Sequence, residues 1–271
     1  MSAIKTGARK QFFLFTLHKK QKFIVGVCLL SIGLFFVENI FGRSSIFFVV
    51  ALAIATDLLL LWAIYRDIKE NFTPQIFVLP FFYSLSFGLF YSLTPARLLT
   101  RILLTTLFAL GIYALFRSQN IFSVAAIRTI ALLGAARIVS FIITILSFMF
   151  LTNIIFSLHL NAVITGSLIA IVSFFLVNQS LWTITLQKAY STHFLWSFAL
   201  SLCLSEIATV LWFWPTNPTI ISIFLGGFFY TTVGLSQVWL DKRLFRGILW
   251  EYVWIGIVVF IGLIFLTSWG R

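Results

Sequence analysis

Nine apolar stretches of eighteen to twenty residues, separated by short polar joints, occupy most of this 271-residue chain. Each is long enough to carry a helix across a hydrocarbon layer about 30 Å thick, which takes about 20 largely apolar residues. The stretches lack the period-two alternation that membrane strands need, so the pattern predicts an all-α, polytopic transmembrane helical bundle. Composition excludes the soluble alternative. With a mean hydropathy of +1.08, 61% hydrophobic and only 10% charged residues, the chain lacks the polar area for a water-facing surface, since soluble domains average about 25% charged residues.

The predicted spans are Phe23 to Phe41, Ile46 to Tyr65, Ile76 to Leu93, Leu98 to Phe116, Ile138 to Phe156, Leu160 to Gln179, Phe194 to Phe213, Thr219 to Gln237 and Ile248 to Thr267. Breakers mark the joints, among them Thr94-Pro95 and the turn Trp214-Pro215-Thr216-Asn217-Pro218. Pro80 falls one turn into the third span, where neighbours must satisfy the carbonyl it frees. Most of the nine tryptophans fall near span ends, as an interfacial aromatic belt requires. Domain organisation follows: residues 1–22, with Lys5, Arg9, Lys10, Lys19, Lys20 and Lys22 around an aromatic patch, form a basic segment on the membrane surface. Residues 23–271 form one transmembrane domain. The first span resembles a signal-peptide core in apolarity, but it has no small-x-small cleavage site and reads as an uncleaved helix.

The formal charge of +12 reports membrane orientation rather than nucleic-acid binding. With nine spans and the N-terminus cytoplasmic, fifteen Lys and Arg lie inside and four outside, a strong positive-inside asymmetry that puts the C-terminus outside. Counting Ile121 to Arg137 as a tenth span removes that asymmetry and strands Arg128 near the bilayer centre. This segment is therefore expected to be a cytoplasmic interfacial or re-entrant helix, with Asn120 as its cap and small residues such as Ala125, Gly134 and Ala135 permitting close approach.

Against this background Asp57 and Glu206 stand out, because each lies deep inside an apolar run that has no basic residue. A charged carboxylate at such depth costs about 3 kcal/mol on insertion scales and usually faces a partner, a cavity or an ion path. Glu206 is expected nearer the external face than Asp57 by about one helical turn of ~5 Å. Ser201, Ser205 and Thr209 are candidate hydroxyl partners for it. Each carboxylate has two readings: a proton or cation site, or a structural group that is protonated or paired and fixes packing. Arg128 is the candidate counter-charge, with lipid phosphate or simple snorkelling as its alternatives. Arg97 and Arg101, four apart on one helix face, are candidate interfacial or lipid-contacting residues. Arg137 and Glu251 belong to the same class, Glu251 within reach of Arg243 or Arg246 and of headgroups.

Enzymatic signatures are lacking: there is no phosphate-binding lysine loop, no HExxH, no GxSxG and no Cys/His cluster at ligand spacing. No cofactor, metal or nucleic-acid partner is expected. Cys28 and Cys203 lie inside spans and read as small apolar core residues rather than a disulfide.

Particular strings add a resemblance. Residues 120–137 (Asn-Ile-Phe-Ser-Val-Ala-Ala-Ile-Arg-Thr-Ile-Ala-Leu-Leu-Gly-Ala-Ala-Arg), Glu206, the Phe-Trp-Pro-Thr-Asn-Pro-Thr turn at 213–219, Arg-Leu-Phe-Arg at 243–246, Glu251-Tyr252 and the ending Thr-Ser-Trp-Gly at 267–270 carry it. From about residue 75 onward the chain resembles an uncharacterised polytopic membrane family of candidate-phylum bacteria with small genomes. The resemblance implies a bacterial plasma-membrane location and brings no function with it. Members have a charged residue near position 134, where this chain has Gly134, so no role resting on charge there is implied. Two function classes follow from the residues. The first is a structural or assembly subunit of a plasma-membrane complex, with the lipid bilayer and other membrane proteins or further copies as partners. The alternative is a proton- or cation-coupled transporter or ion-conducting protein that uses Asp57 and Glu206.

Overall fold

Long apolar runs become helices because lipid offers no hydrogen-bonding partner, so each backbone N–H and C=O must be satisfied within the protein. A computed structural model describes residues 19–40, 45–68, 73–94, 98–125, 132–186 and 191–267. Among the described residues there are nine helices: α1 (Lys19–Ile40), α2 (Ser45–Ile68), α3 (Gln75–Leu93), α4 (Leu98–Ala125), α5 (Leu133–Ser157), α6 (Ala162–Thr185), α7 (Ser191–Trp212), α8 (Pro218–Leu240) and α9 (Arg246–Leu266). Each overlaps one predicted span. Eight of them, α2 to α9, are long and apolar enough to cross a membrane, while α1 opens on Lys19, Lys20 and Lys22. The chain is a multi-pass helical membrane protein whose apolar helix faces meet lipid.

Prolines fall where a helix tolerates them. Pro218 occupies the first turn of α8, where a missing N–H costs nothing. α3 runs unbroken through Pro80, and it stops at Thr94, whose backbone is extended as the following Pro95 demands.

Successive helices run antiparallel. The end of the bundle where α1 begins is here called proximal and the opposite end distal. Proximally, Lys22 lies 4.8 Å over the Trp62 ring, joining the start of α1 to the end of α2. Phe122 of α4 meets Trp182 of α6 at 6.2 Å. Distally, Asn153 donates to the Thr219 hydroxyl at 3.2 Å, Trp212 to the Leu160 carbonyl at 2.8 Å and Trp214 to the Thr267 hydroxyl at 2.8 Å. α1 to α4 pack together, α3 and α4 connect them to α5, and α5, α6 and α8 form the second cluster. α7 lies against α6 and α8, and α9 against α8.

An aromatic seam forms the centre. Tyr83 stacks on Phe108 at 5.8 Å, Phe87 meets Phe150 edge-on at 4.9 Å, and Phe148 stacks on Phe229 at 4.6 Å. The seam therefore runs from α4 through α3 and α5 to α8, with offset and edge contacts worth about 0.5–1.5 kcal/mol each beyond burial. Glycine makes one crossing possible: a Cβ at Gly111 would land on the Tyr83 hydroxyl, which donates to the Leu107 carbonyl at 3.1 Å.

The segment 121–137 differs from the separate helix expected of it. Ile121 to Ala125 are the last residues of α4 and Leu133 to Arg137 the first of α5, while residues 126–131 lie outside the described residues. The physical reason lies in Arg117 to Asn120, whose polarity reads as a joint in sequence. Ser118 donates to the Ala114 carbonyl and Ser123 to the Asn120 carbonyl, both at 2.8 Å, and Gln119 is fully buried. Polar side chains satisfied by their own helix, or enclosed by neighbours, let α4 continue past the end of the apolar run.

Candidate functional site

Asp57 sits at the middle of α2, ~18 Å along the axis from Ser45 and ~16 Å from Ile68 at 1.5 Å per residue. It borders the buried stripe of Ala53, Thr56, Leu60 and Ile64, which holds α2 against its neighbours. Thr56 supplies the polar link there: its hydroxyl donates to the Leu52 carbonyl at 2.9 Å and accepts from the Ser84 hydroxyl at 2.7 Å. Asp57 takes no part in that link. It is half-buried, and its Oδ1 is enclosed with no hydrogen-bond partner. An ionised carboxylate in that position lacks every compensation that burial demands.

Glu206 lies on α7, ~9 Å inside the helix end at Trp212. It is exposed on the outside of the bundle, and it lines a groove of about 880 Å3 between α7, α8 and α9. The walls are apolar, with Val210, Phe224, Phe228, Ile257 and Phe260 among them. The hydroxyls expected to surround Glu206 are directed elsewhere: Ser201 to the Phe198 carbonyl, Ser205 to the Gly166 carbonyl of α6 at 2.8 Å and Thr209 to the Ser205 carbonyl. The interhelical Ser205 bond is one reason that α6 and α7 pack closely, since a Cβ on Gly166 would press on Thr209 Oγ1 at 2.5 Å.

The two carboxylates do not come together. α2 packs against α1, α3 and α4, whereas α7 packs against α6 and α8, and Asp57 is not among the residues lining the groove. Neither has a basic partner among the described residues; Arg128, the expected counter-charge, and Arg97 lie outside them.

Arg137 makes contacts to two other helices. Its Nε donates to the Thr183 carbonyl at 3.0 Å and its Nη2 to the Ile184 carbonyl at 2.6 Å. Its Nη1 stands 3.8 Å from Asp241, which also meets Arg243 at 3.2 Å. One guanidinium thus ties the start of α5 to the ends of α6 and α8. The arrangement suits a helix C-terminus, where unsatisfied carbonyls and the helix dipole favour a cation. α6 needs that help: it ends on Leu186 in the left-handed region, φ 50°, a conformation disfavoured for a residue with a Cβ. These contacts turn the Arg137 side chain toward neighbouring helices, with only 24% of it exposed.

Arg101 lies half-buried in the first turn of α4, and Glu251 is exposed in the second turn of α9. Sequence reasoning missed Asp241, hidden in a joint with Lys242, Arg243 and Arg246, and the amides Gln119 and Gln179. Both amides are fully buried and neither has a hydrogen-bond partner. Neither stands out in sequence, because Gln119 lies in the polar stretch Arg117 to Asn120 and Gln179 closes its predicted span beside Asn178 and Ser180. Cys28 and Cys203, expected in the core, are instead exposed on the outer faces of α1 and α7, because an apolar run in a membrane protein can face lipid as well as protein; among the described residues no three His, Cys, Asp or Glu side chains come close enough to hold a metal ion.

No curated protein and no solved structure matches this chain. A family model described as a protein of unknown function, DUF5656, matches residues 27–266. The match begins well before residue 75, where the resemblance in individual strings starts, and takes in both carboxylates, Arg137 and all three walls of the groove. The chain therefore belongs to the DUF5656 family of proteins of unknown function.

Proposed function

We propose that this protein is a structural or assembly subunit of a membrane complex, in a bacterial plasma membrane, with nine spans, a cytoplasmic N-terminus and an external C-terminus. The observation that carries the reading is the separation of Asp57 from Glu206. One carboxylate lies in the α1–α4 cluster and the other on an outer groove that Asp57 does not line. A coupled transporter of the kind the two acids first suggest needs both on one path across the membrane. The exposed faces suit contacts with other proteins instead. Short joints leave helix surfaces as the main area for partners, and on α9 only Leu263 is buried. In this reading the basic residues 1–22 rest on the inner membrane surface. Whether the partner is another protein or a further copy of the chain, it meets helix faces inside the bilayer.

The transport reading keeps one supporting observation: neither carboxylate is neutralised by a basic partner among the described residues. Proteoliposome uptake separates the two. The assembly reading predicts no pH- or cation-driven uptake by the wild-type chain, and it predicts a species heavier than the monomer in native membranes solubilised in mild detergent. Uptake abolished by Asp57→Asn with the fold intact would replace it with transport. Orientation has a separate check: a reporter fused after Arg271 should be active outside, and activity inside would refute the nine-span arrangement.

A further inference from the structure

We propose that the groove between α7, α8 and α9 is the docking site for one transmembrane helix of a partner protein that carries a lysine or arginine at the depth of Glu206. The proposal rests on the assembly reading and assigns the surface through which assembly occurs.

Charge is the first argument. Glu206 is exposed on the groove wall, ~9 Å inside the end of α7, and has no hydrogen bond or ion pair among the described residues. Trp212 marks the membrane edge beyond it, as interfacial tryptophans do, with its indole fixed on the Leu160 carbonyl. A carboxylate at that depth calls for a cation supplied from within the bilayer.

Shape is the second. The groove follows α9 from Tyr252 to Leu263, ~16 Å along the axis. A volume of about 880 Å3 over that length gives a mean section of ~55 Å2, against ~80 Å2 for a helix 10 Å across with its side chains. The groove thus takes in more than half of a helix. Gly256 on its wall leaves a close approach open, with only the Thr231 methyl 3.8 Å from a Cβ placed there.

The polar groups argue against a small molecule. Such sites present several converging polar groups, yet the Thr231 and Thr232 hydroxyls both donate to the Phe228 carbonyl at 2.8 Å, and the Tyr252 ring packs against Tyr230 at 5.4 Å. Glu206 is left as the one charged group facing the groove. A single ionic contact on an extended apolar surface is how a helix with one basic residue is recognised.

The test uses the labelled full-length chain in phosphatidylcholine liposomes and a single-span leucine-alanine peptide with one lysine about six residues from its end, read by fluorescence energy transfer. The lysine peptide should associate at least about tenfold more tightly than the same peptide with leucine at that position. Glu206→Gln should erase the difference, and Gly256→Phe, which fills the groove, should weaken both peptides while thermal melting shows the fold retained. Equal association of the two peptides with the wild-type chain, or a lysine preference that survives Glu206→Gln, overturns the proposal. So does displacement of the peptide by octadecylamine at equal concentration, which assigns the groove to a lipid, or energy transfer between differently labelled chains that Gly256→Phe removes, which assigns it to a second copy. A heavy complex in native membranes that persists in Glu206→Gln would leave the assembly reading standing while this docking site falls.

Discussion

Replacing Arg137 by alanine removes two donors from the carbonyls of Thr183 and Ile184, at 3.0 and 2.6 Å, and one ion-pair partner from Asp241 at 3.8 Å. The contributions are unequal. Hydrogen bonds to a charged group contribute about 1.5–3 kcal/mol each in soluble proteins, but interhelical bonds in membranes average nearer 0.6 kcal/mol because the unfolded state finds other partners. Two charge-assisted bonds between those limits give about 2–3 kcal/mol. The Asp241 pair adds little: at 3.8 Å, with its side chains 24% and 30% exposed, it falls in the range of about 0–1 kcal/mol for exposed pairs, and Asp241 retains Arg243 at 3.2 Å. Arg137→Ala is therefore expected to lower unfolding free energy by about 2–3 kcal/mol and Asp241→Asn by less than 1 kcal/mol. Arg137→Lys should fall between them, since an ammonium lacks the planar fork that reaches two carbonyls at once. Reversible unfolding in mixed micelles, followed by circular dichroism, gives all three values. Equal losses for Arg137→Ala and Asp241→Asn would refute the carbonyl clamp and make the ion pair the dominant interaction.

Two glycines should respond in opposite ways. Gly111→Val, which drives a side chain into the Tyr83 hydroxyl, should cost at least about 1–3 kcal/mol through overpacking. Gly134→Ala, with nothing within 4 Å of its Cβ, should leave melting unchanged or raise stability by about 0.5–1 kcal/mol; a loss there would show a contact with the start of α5. Asp57→Leu replaces a carboxyl whose Oδ1 has no partner, so unfolding in detergent should show equal or greater stability, with a gain of up to about 3 kcal/mol. A loss above 1 kcal/mol would reveal an ion or proton network holding α2 in place.

The sequence shows most clearly the features imposed by the solvent. Hydrocarbon enforces length and apolarity on every span, so nine runs correspond to nine helices among the described residues. Where protein rather than lipid surrounds the chain, hydropathy loses its meaning. α4 extends through Ser118 and Gln119 to Ala125 because those side chains face their own carbonyls or neighbouring helices. The interhelical contacts of Arg137 are likewise hidden, since neither the two carbonyls it reaches nor Asp241 is near it in sequence. Asp57 and Glu206 were legible as costly residues, but their surroundings depend on which helices pack together, and no local pattern encodes that. The groove beside Glu206 arises from the peripheral position of α9, a property of three helices at once.

Decisive for the assembly reading is whether Glu206 faces the bilayer side of the protein or an aqueous path shared with Asp57. Nitroxide labels on Glu206→Cys and Asp57→Cys, in chains whose native Cys28 and Cys203 are replaced by serine, test it by electron paramagnetic resonance in liposomes. The label at 206 should be relaxed strongly by oxygen, which concentrates in lipid, and weakly by a water-soluble nickel chelate, with neither site reached by nickel. Efficient nickel access at both positions would contradict the assembly reading, because the two carboxylates would then open on water and belong to a transport path.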